Sequence, residues 1–147
     1  MANPNAVSSR TFRSFGFARV AIKSTQLNTA GNASIAIPFL DGGLTVGNAT
    51  TNSGQVILRR ITVCNPSGSV ASANVSIGTT ADGANLITAN TVLSSVSGAV
   101  TFQDIALSSG NVAVSGFTTQ CLYVNVNTAS GNANTVEIMA YGEVVSF

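Results

Sequence analysis

The side chains that could carry out chemistry in this sequence are few and widely spaced. The 147 residues include no His, no Trp, two Cys and a single lysine, Lys23. The commonest general base is therefore missing, and a serine nucleophile would have no activating base beside it. The five carboxylates are scattered: Asp41, Asp82, Asp104, Glu137 and Glu143. We predict that the protein is not an enzyme and binds no metal or cofactor.

The two cysteines, Cys64 and Cys121, fall on separate predicted strands. Their spacing resembles that of the immunoglobulin inter-sheet bridge, but no Trp is present to pack against such a bridge. Both thiols also lie on the strand face opposite the aliphatic residues. The first 25 residues contain no classical secretion signal, which predicts synthesis in a host cytoplasm, where thiols stay reduced. We therefore predict two free, half-buried thiols.

The amino-terminal segment differs from the rest of the chain in charge. Residues 1–23 hold four basic and no acidic side chains, whereas residues 24–147 hold two basic and five acidic ones. We predict that residues 1–18 form an extended arm whose partner-binding residues are Arg10, Phe12, Arg13, Phe15, Phe17 and Arg19. The arm could pack on its own subunit, anchor on an acidic protein surface or bind nucleic acid. The protein surface is favoured, because four charges are few for nucleic acid.

From residue 19 onward the pattern is period-two alternation broken by Gly, Asn, Asp and Ser clusters, which is typical of short β-strands. Residues 19–147 are therefore predicted to form one all-β domain, a β-sandwich or jelly roll of about eight strands. The predicted strands are 19–24, 34–40, 56–64, 74–78, 86–93, 100–107, 121–126 and 136–144. No helix-period segment competes with them, and no apolar stretch is long enough for a membrane helix.

The alternation also predicts which strand faces are buried. In the strand 56–64 the predicted core face carries Ile57, Arg59, Ile61 and Val63. Arg59 breaks this pattern, so we expect either that this strand is short on the core side or that Arg59 lies at the rim with its stem buried and its charge in water. The alternation of apolar and polar residues shifts between Phe102 and Ile105, where Gln103 and Asp104 intervene, which predicts a β-bulge there.

Three stretches resemble small structural proteins of tailed-phage virions, specifically capsid decoration (cement) proteins. They are VILRRITVCNPSGSVASANVSIGTTADGANLIT (56–88), CLYVNVN (121–127) and the closing VEIMAYGEVVSF. The resemblance implies a trimer of sandwich or jelly-roll domains on the outside of the head, bound to the major capsid protein, with no cofactor. The resemblance does not identify individual contact residues in this sequence.

Composition fits a protein enclosed by neighbours. Only 7% of the residues are charged, against roughly 25% in a typical domain, and Ser, Thr and Asn together make up a third of the chain. Neutral polar groups cost less to desolvate than ions, and sheet edges poor in charge invite pairing. We expect a homo-oligomeric virion protein that stabilises the capsid exterior. The alternatives are a tail, neck or head-fibre-base component, a small jelly-roll coat protein enclosing the genome, or a carbohydrate-binding adhesin module.

Overall fold

The structure is a computed structural model that describes residues 18–31, 34–38, 54–98, 102–108, 113–114 and 121–146. Within these ranges the protein is all-β, as predicted, with nine strands and no helix, and so no helix that could span a membrane. The strands are β1 (Ala18–Gln26), β2 (Ser34–Pro38), β3 (Gly54–Cys64), β4 (Asn74–Gly78), β5 (Thr91–Val92), β6 (Phe102–Ile105), β7 (Ala113–Val114), β8 (Cys121–Thr128) and β9 (Thr135–Ser146).

The strands form two antiparallel sheets. Sheet A has the order β1-β9-β3-β6, and β7 also pairs with β3; sheet B has the order β2-β8-β4-β5. Strands β6 and β7 pair with opposite ends of β3, at Ile61–Cys64 and at Val56–Ile57 respectively. They therefore occupy one edge position, so the nine strands fill eight places, the number that the sequence predicts.

Alternating apolar side chains from both sheets meet in one buried cluster. In β8 and β9 the alternation predicts the inward positions Leu122, Val124, Val126, Val136, Ile138, Ala140 and Val144. The first six are buried, and the burial of Val144 lies outside what the structure describes. Sheet B adds Val75 and Ile77 of β4 to the same cluster. Full burial of one such side chain contributes about 1.5–3 kcal/mol, so this cluster holds the two sheets together.

Both neighbours of β9 carry a β-bulge next to Tyr141, on its Gly142 side in β3 and on its Ala140 side in β1. In β3, Leu58 pairs with Gly142 and Arg60 with Tyr141, which leaves Arg59 as the extra residue. A bulged residue lets the side chains after it change face. As a result Leu58 points into the core, whereas Arg59 and Arg60 are both exposed.

The β3 bulge corrects the predicted core face. Ile61 and Val63 are buried as predicted, but Leu58 is the third core residue of this strand, while Ile57 is only half-buried. Arg59 lies in solvent on the other side of the strand. The prediction failed because strict alternation was counted through a position where the strand contains one extra residue.

The bulge predicted between Phe102 and Ile105 is absent. These two residues pair with Cys64 and Ile61 of β3 in an unbroken register. Phe102 points outward and is 53% exposed, whereas Ile105 is buried. Alternation suggests a bulge here only because Phe102 is a large apolar side chain that points into solvent.

One end of the domain is joined by neutral hydrogen bonds between three connections. Ser67 N–H donates to the Thr135 carbonyl (2.9 Å), and Ser130 N–H donates to the Leu27 carbonyl (2.8 Å). The Asn132 amide also donates to the Ser69 carbonyl (2.9 Å). The abundant Ser and Asn residues of the turns thus satisfy backbone groups that strands cannot reach.

We predict that Gly142→Ala destabilises the fold by about 1–3 kcal/mol, because a Cβ there would collide with the Ile57 carbonyl, which is backbone and cannot rotate away. Gly98→Ala is the control, since no atom lies within 4 Å of the Cβ position there; its effect should stay within about 0.5 kcal/mol. Urea unfolding measures both changes, and equal effects of the two substitutions would contradict the close approach of β3 to β9.

Candidate protein interface

The outer faces of the two sheets differ in charge. In the described strands all seven charged residues belong to sheet A: Arg19, Lys23, Arg59, Arg60, Asp104, Glu137 and Glu143. The strands of sheet B contain none. Asp82 lies in the connection between β4 and β5, where the hydroxyl of Thr80 and the N–H of Ala84 hold the pKa of its carboxyl below the ordinary value. Asp82 therefore stabilises a turn through these two hydrogen bonds.

The outward positions of sheet A form rows that cross the strands, and three adjacent rows occupy the middle of this face. The rows follow from the register of β9 with β1 and β3 and from that of β3 with β6, because paired residues share a face. The first row is Ser24, Glu137, Cys64 and Phe102; the second is Ile22, Met139, Thr62 and Asp104; the third is Arg19, Tyr141 and Arg60.

The third row places an aromatic ring between two arginines. Tyr141 pairs with Arg19 on one side and Arg60 on the other, and the Arg60 guanidinium carbon lies 5.7 Å from the centroid of the ring. Arg60 Nε also donates to Asp104 Oδ1 (2.9 Å) and to Thr62 Oγ1 (3.0 Å). These contacts fix the guanidinium over the ring, where a cation–π contact contributes about 0.5–1 kcal/mol.

Two ions of this face have no ionic partner within the described chain. Arg59 pairs with Glu143 (3.2 Å) and Arg60 with Asp104 (2.9 Å). Arg19 makes no ion pair with any described residue, and the Glu137 carboxylate accepts a hydrogen bond only from the neutral Asn65 amide (2.6 Å). One basic and one acidic charge, two rows apart, therefore remain available to a partner.

Apolar side chains occupy the space between these charges. Phe102 is the most exposed large apolar side chain among the described residues, and Ile22, Cys64 and Met139 are half-buried. Aromatic residues, Met and Arg are enriched in protein interfaces, with charges concentrated at the rim. The outer face of sheet A therefore has the composition of a protein-binding surface.

The outer face of sheet B is partly covered by the chain itself. The connection between β4 and β5 folds back over it, so that a Cβ on Gly83 would lie 3.3 Å from the Asn125 amide nitrogen. The outward-facing residues Ser76 and Asn125 are consequently buried. Sheet A has the more open of the two outer faces within the described ranges.

Arg19 is the one predicted partner-binding residue that the structure describes. It is exposed on β1 and joins the third row beside Tyr141. The other five predicted residues, Arg10, Phe12, Arg13, Phe15 and Phe17, lie outside the described residues. The sequence analysis did not identify Arg60 and Met139 as neighbours of Arg19, because strand pairing, and not sequence spacing, brings them together.

Neither Cys64 nor Cys121 forms a disulfide, and both are half-buried, as predicted. Cys64 lies on the outer face of sheet A, and Cys121 lies in sheet B, at the start of β8. Burial raises the pKa of the Cys64 thiol, and the Glu137 carboxylate raises it further, whereas the Arg19 guanidinium lowers it. In the described ranges, no group of three or more Cys, Asp or Glu side chains could hold a metal ion.

Comparison of the chain with models of known protein families, with curated proteins and with solved structures found no match. The strand order and the outer face of sheet A are therefore the features from which function can be argued.

We predict that the Cys64 thiol titrates above the ordinary thiol value and that two neighbouring substitutions move its pKa in opposite directions. Glu137→Gln should lower this pKa by removing a nearby negative charge, and Arg19→Gln should raise it by removing a positive one. The measurement is the pH dependence of alkylation in a Cys121→Ser background. Shifts of the same sign in both variants would contradict the arrangement of the first and third rows.

Proposed function

We propose that the two sheets form a jelly roll and that the protein is a structural component of a virus particle. The supporting observation is the strand order. The chain can be drawn as one long antiparallel ribbon in which the paired strands are β1–β9, β2–β8, β3–β6 and β4–β5. When this ribbon folds over on itself, β9 comes to lie beside β3 and β8 beside β4. Jelly rolls of two such sheets are the architecture of many viral capsid domains.

The specific role that we propose is decoration of a tailed-phage capsid. The protein binds the major capsid protein on the outside of the shell as a homo-oligomer and stabilises it there. A decoration protein must bury much of its surface, and neutral Ser, Thr and Asn groups can be buried at lower cost than ions. At one end of the domain the Ser67 and Ser72 hydroxyls and the Asn132 amide are such groups, each hydrogen-bonded to the backbone.

The contacts of the oligomer should involve faces and loops and not sheet edges. The edge strand β1 carries Lys23, which is exposed on the core-facing side, opposite the buried Ile138. The edge strand β2 ends at Pro38, and β5 has only two residues. Inward-pointing lysine, proline and short length are all features that block strand addition. The trimer that the resemblance implies stays a prediction, as does the expectation from the low charge that neighbouring copies cover the sheet edges. The features of β1, β2 and β5 favour contacts elsewhere than on these three edges.

A coat protein that encloses the genome is the second candidate, because the same strand order serves that role. The charge of the described outer face of sheet A favours decoration. Its three basic residues, Arg19, Arg59 and Arg60, are balanced by three acidic ones, Asp104, Glu137 and Glu143. Such a face lacks the positive excess that neutralises phosphates.

We predict that deleting residues 1–17, which leaves β1 complete, abolishes binding to the viral shell while the domain stays folded. The measurement is co-sedimentation with heads of the encoding virus that lack this protein, together with far-UV circular dichroism. A variant with Arg10→Gln and Arg13→Gln, which keeps the three Phe residues, separates the contribution of charge from that of the aromatic rings. Full occupancy of heads by the truncated protein would rule out the arm as the anchor.

Filter binding to single- and double-stranded nucleic acid distinguishes the two candidates. A decoration protein should bind weakly at all salt concentrations. A genome-enclosing coat protein should show an affinity that falls steeply as salt rises, since it releases counterions from several phosphates. A steep salt dependence would replace the decoration proposal with the coat protein.

A further inference from the structure

We propose that two copies of this chain associate through the outer faces of sheet A, related by a two-fold axis that runs along the second row. The occupant of this face is therefore a second copy of the same chain. The inference concerns the isolated protein and goes beyond the proposed function, since it holds whether or not a capsid is present.

The arrangement of the three rows is self-complementary under this rotation. A half-turn about the second row exchanges the first row of one copy with the third row of the other. It places Glu137 of one copy over Tyr141 of the other, between Arg19 and Arg60, and the same contact repeats in the opposite sense. Rows lie roughly 6.8 Å apart and strands about 4.8 Å apart, so arginine side chains can span the lateral offset.

The charges also determine which orientation is favoured. A two-fold axis along the strands would place each row over its own copy, so that Glu137 would face Glu137 and the arginine row would face the arginine row. Like charges in apposition oppose association. The axis along the second row avoids both of these appositions and satisfies the two ions that have no ionic partner within the described chain, Arg19 and Glu137. It does place Asp104 over Asp104, but each of these carboxylates is paired with Arg60 of its own chain (2.9 Å).

Apolar contact lies at the centre of the pair. Met139 of one copy faces Met139 of the other, and Ile22 lies beside it in the same row. Both side chains are half-buried in the single chain and lose further solvent contact in the pair. Methionine adapts its shape to an irregular surface, which suits a position on the symmetry axis.

The area of the face limits the strength of the contact. Three rows across four strands, with their side-chain margins, cover roughly 400 Å² in projection, below the approximately 800 Å² per partner of a standard stable interface. The pair is therefore weak and concentration-dependent. It would form where copies are crowded together, and it is compatible with a different contact elsewhere on the molecule.

Charge reversal and charge exchange test the proposal by sedimentation equilibrium over a range of protein concentrations. Arg19→Glu and Glu137→Arg should each weaken association about tenfold, the effect of losing one close charge contact. The double variant R19E/E137R should associate at least about threefold more tightly than either single variant, because opposite charges again face each other. Lys23→Glu is the matched control: it reverses a charge on the same strand but off this face, and it should leave association unchanged.

The two thiols give an independent measurement. Cys64 lies in the first row and faces the arginine row of the second copy, so its alkylation rate in a Cys121→Ser background should fall as protein concentration rises. Cys121 lies in sheet B, and its rate in a Cys64→Ser background should not change. Circular dichroism and thermal melting establish that each variant is folded.

Either of two results would overturn the proposal. One is a protein that stays a single chain at millimolar concentration. The other is an association that neither single charge reversal weakens, together with a Cys64 alkylation rate that does not change with protein concentration. That result would place the contact on another surface. Neither result bears on capsid binding, which the arm deletion tests separately.

Discussion

The close approach of β3 to β9 at Gly142 is the constraint on which the rest of sheet A depends. No side chain fits between the Gly142 position and the Ile57 carbonyl. In β3 one residue, Arg59, is inserted directly beside this contact, and β1 inserts Val20 one position further along β9, between the partners of Tyr141 and Ala140. The β3 bulge brings two successive arginines to the outer face without burying a charge, because Leu58 takes the inward position. A local backbone requirement thereby determines where the charge of the whole sheet lies.

The two sheets also differ in charge, because the chain has few charged residues and those of the described strands lie on sheet A. A chain with 11 charged residues cannot surround itself with charge, and the described strands concentrate theirs on one sheet. Neutral hydrogen bonds hold the loops at one end, between backbone groups and between Ser or Asn side chains and the backbone, where ion pairs would be exposed and contribute little. This division leaves one face able to recognise charge and apolar shape together, which is the combination that protein partners require.

Much of the fold could be predicted from the alternation of apolar and polar residues. All eight predicted strand segments contain a strand or bridge of the structure, and the buried faces of β8 and β9 were predicted correctly. Period-two alternation is informative there because the strands are regular and half-buried. The prediction failed at Arg59 and at Phe102, where an extra residue and an exposed aromatic ring each broke the relation between residue type and face. The tertiary neighbours of Arg19 could not be predicted at all.

By itself, the sequence determined the all-β class of the domain, the absence of His, the wide spacing of the carboxylates and the excess of neutral polar side chains. These properties are local or additive, so composition and spacing are enough to establish them. Only the tertiary structure decided that Arg19, Tyr141 and Arg60 share one row and that Glu137 lies two rows away. Strand order and register depend on contacts between residues far apart in the chain, and a single inserted residue changes which side chains meet.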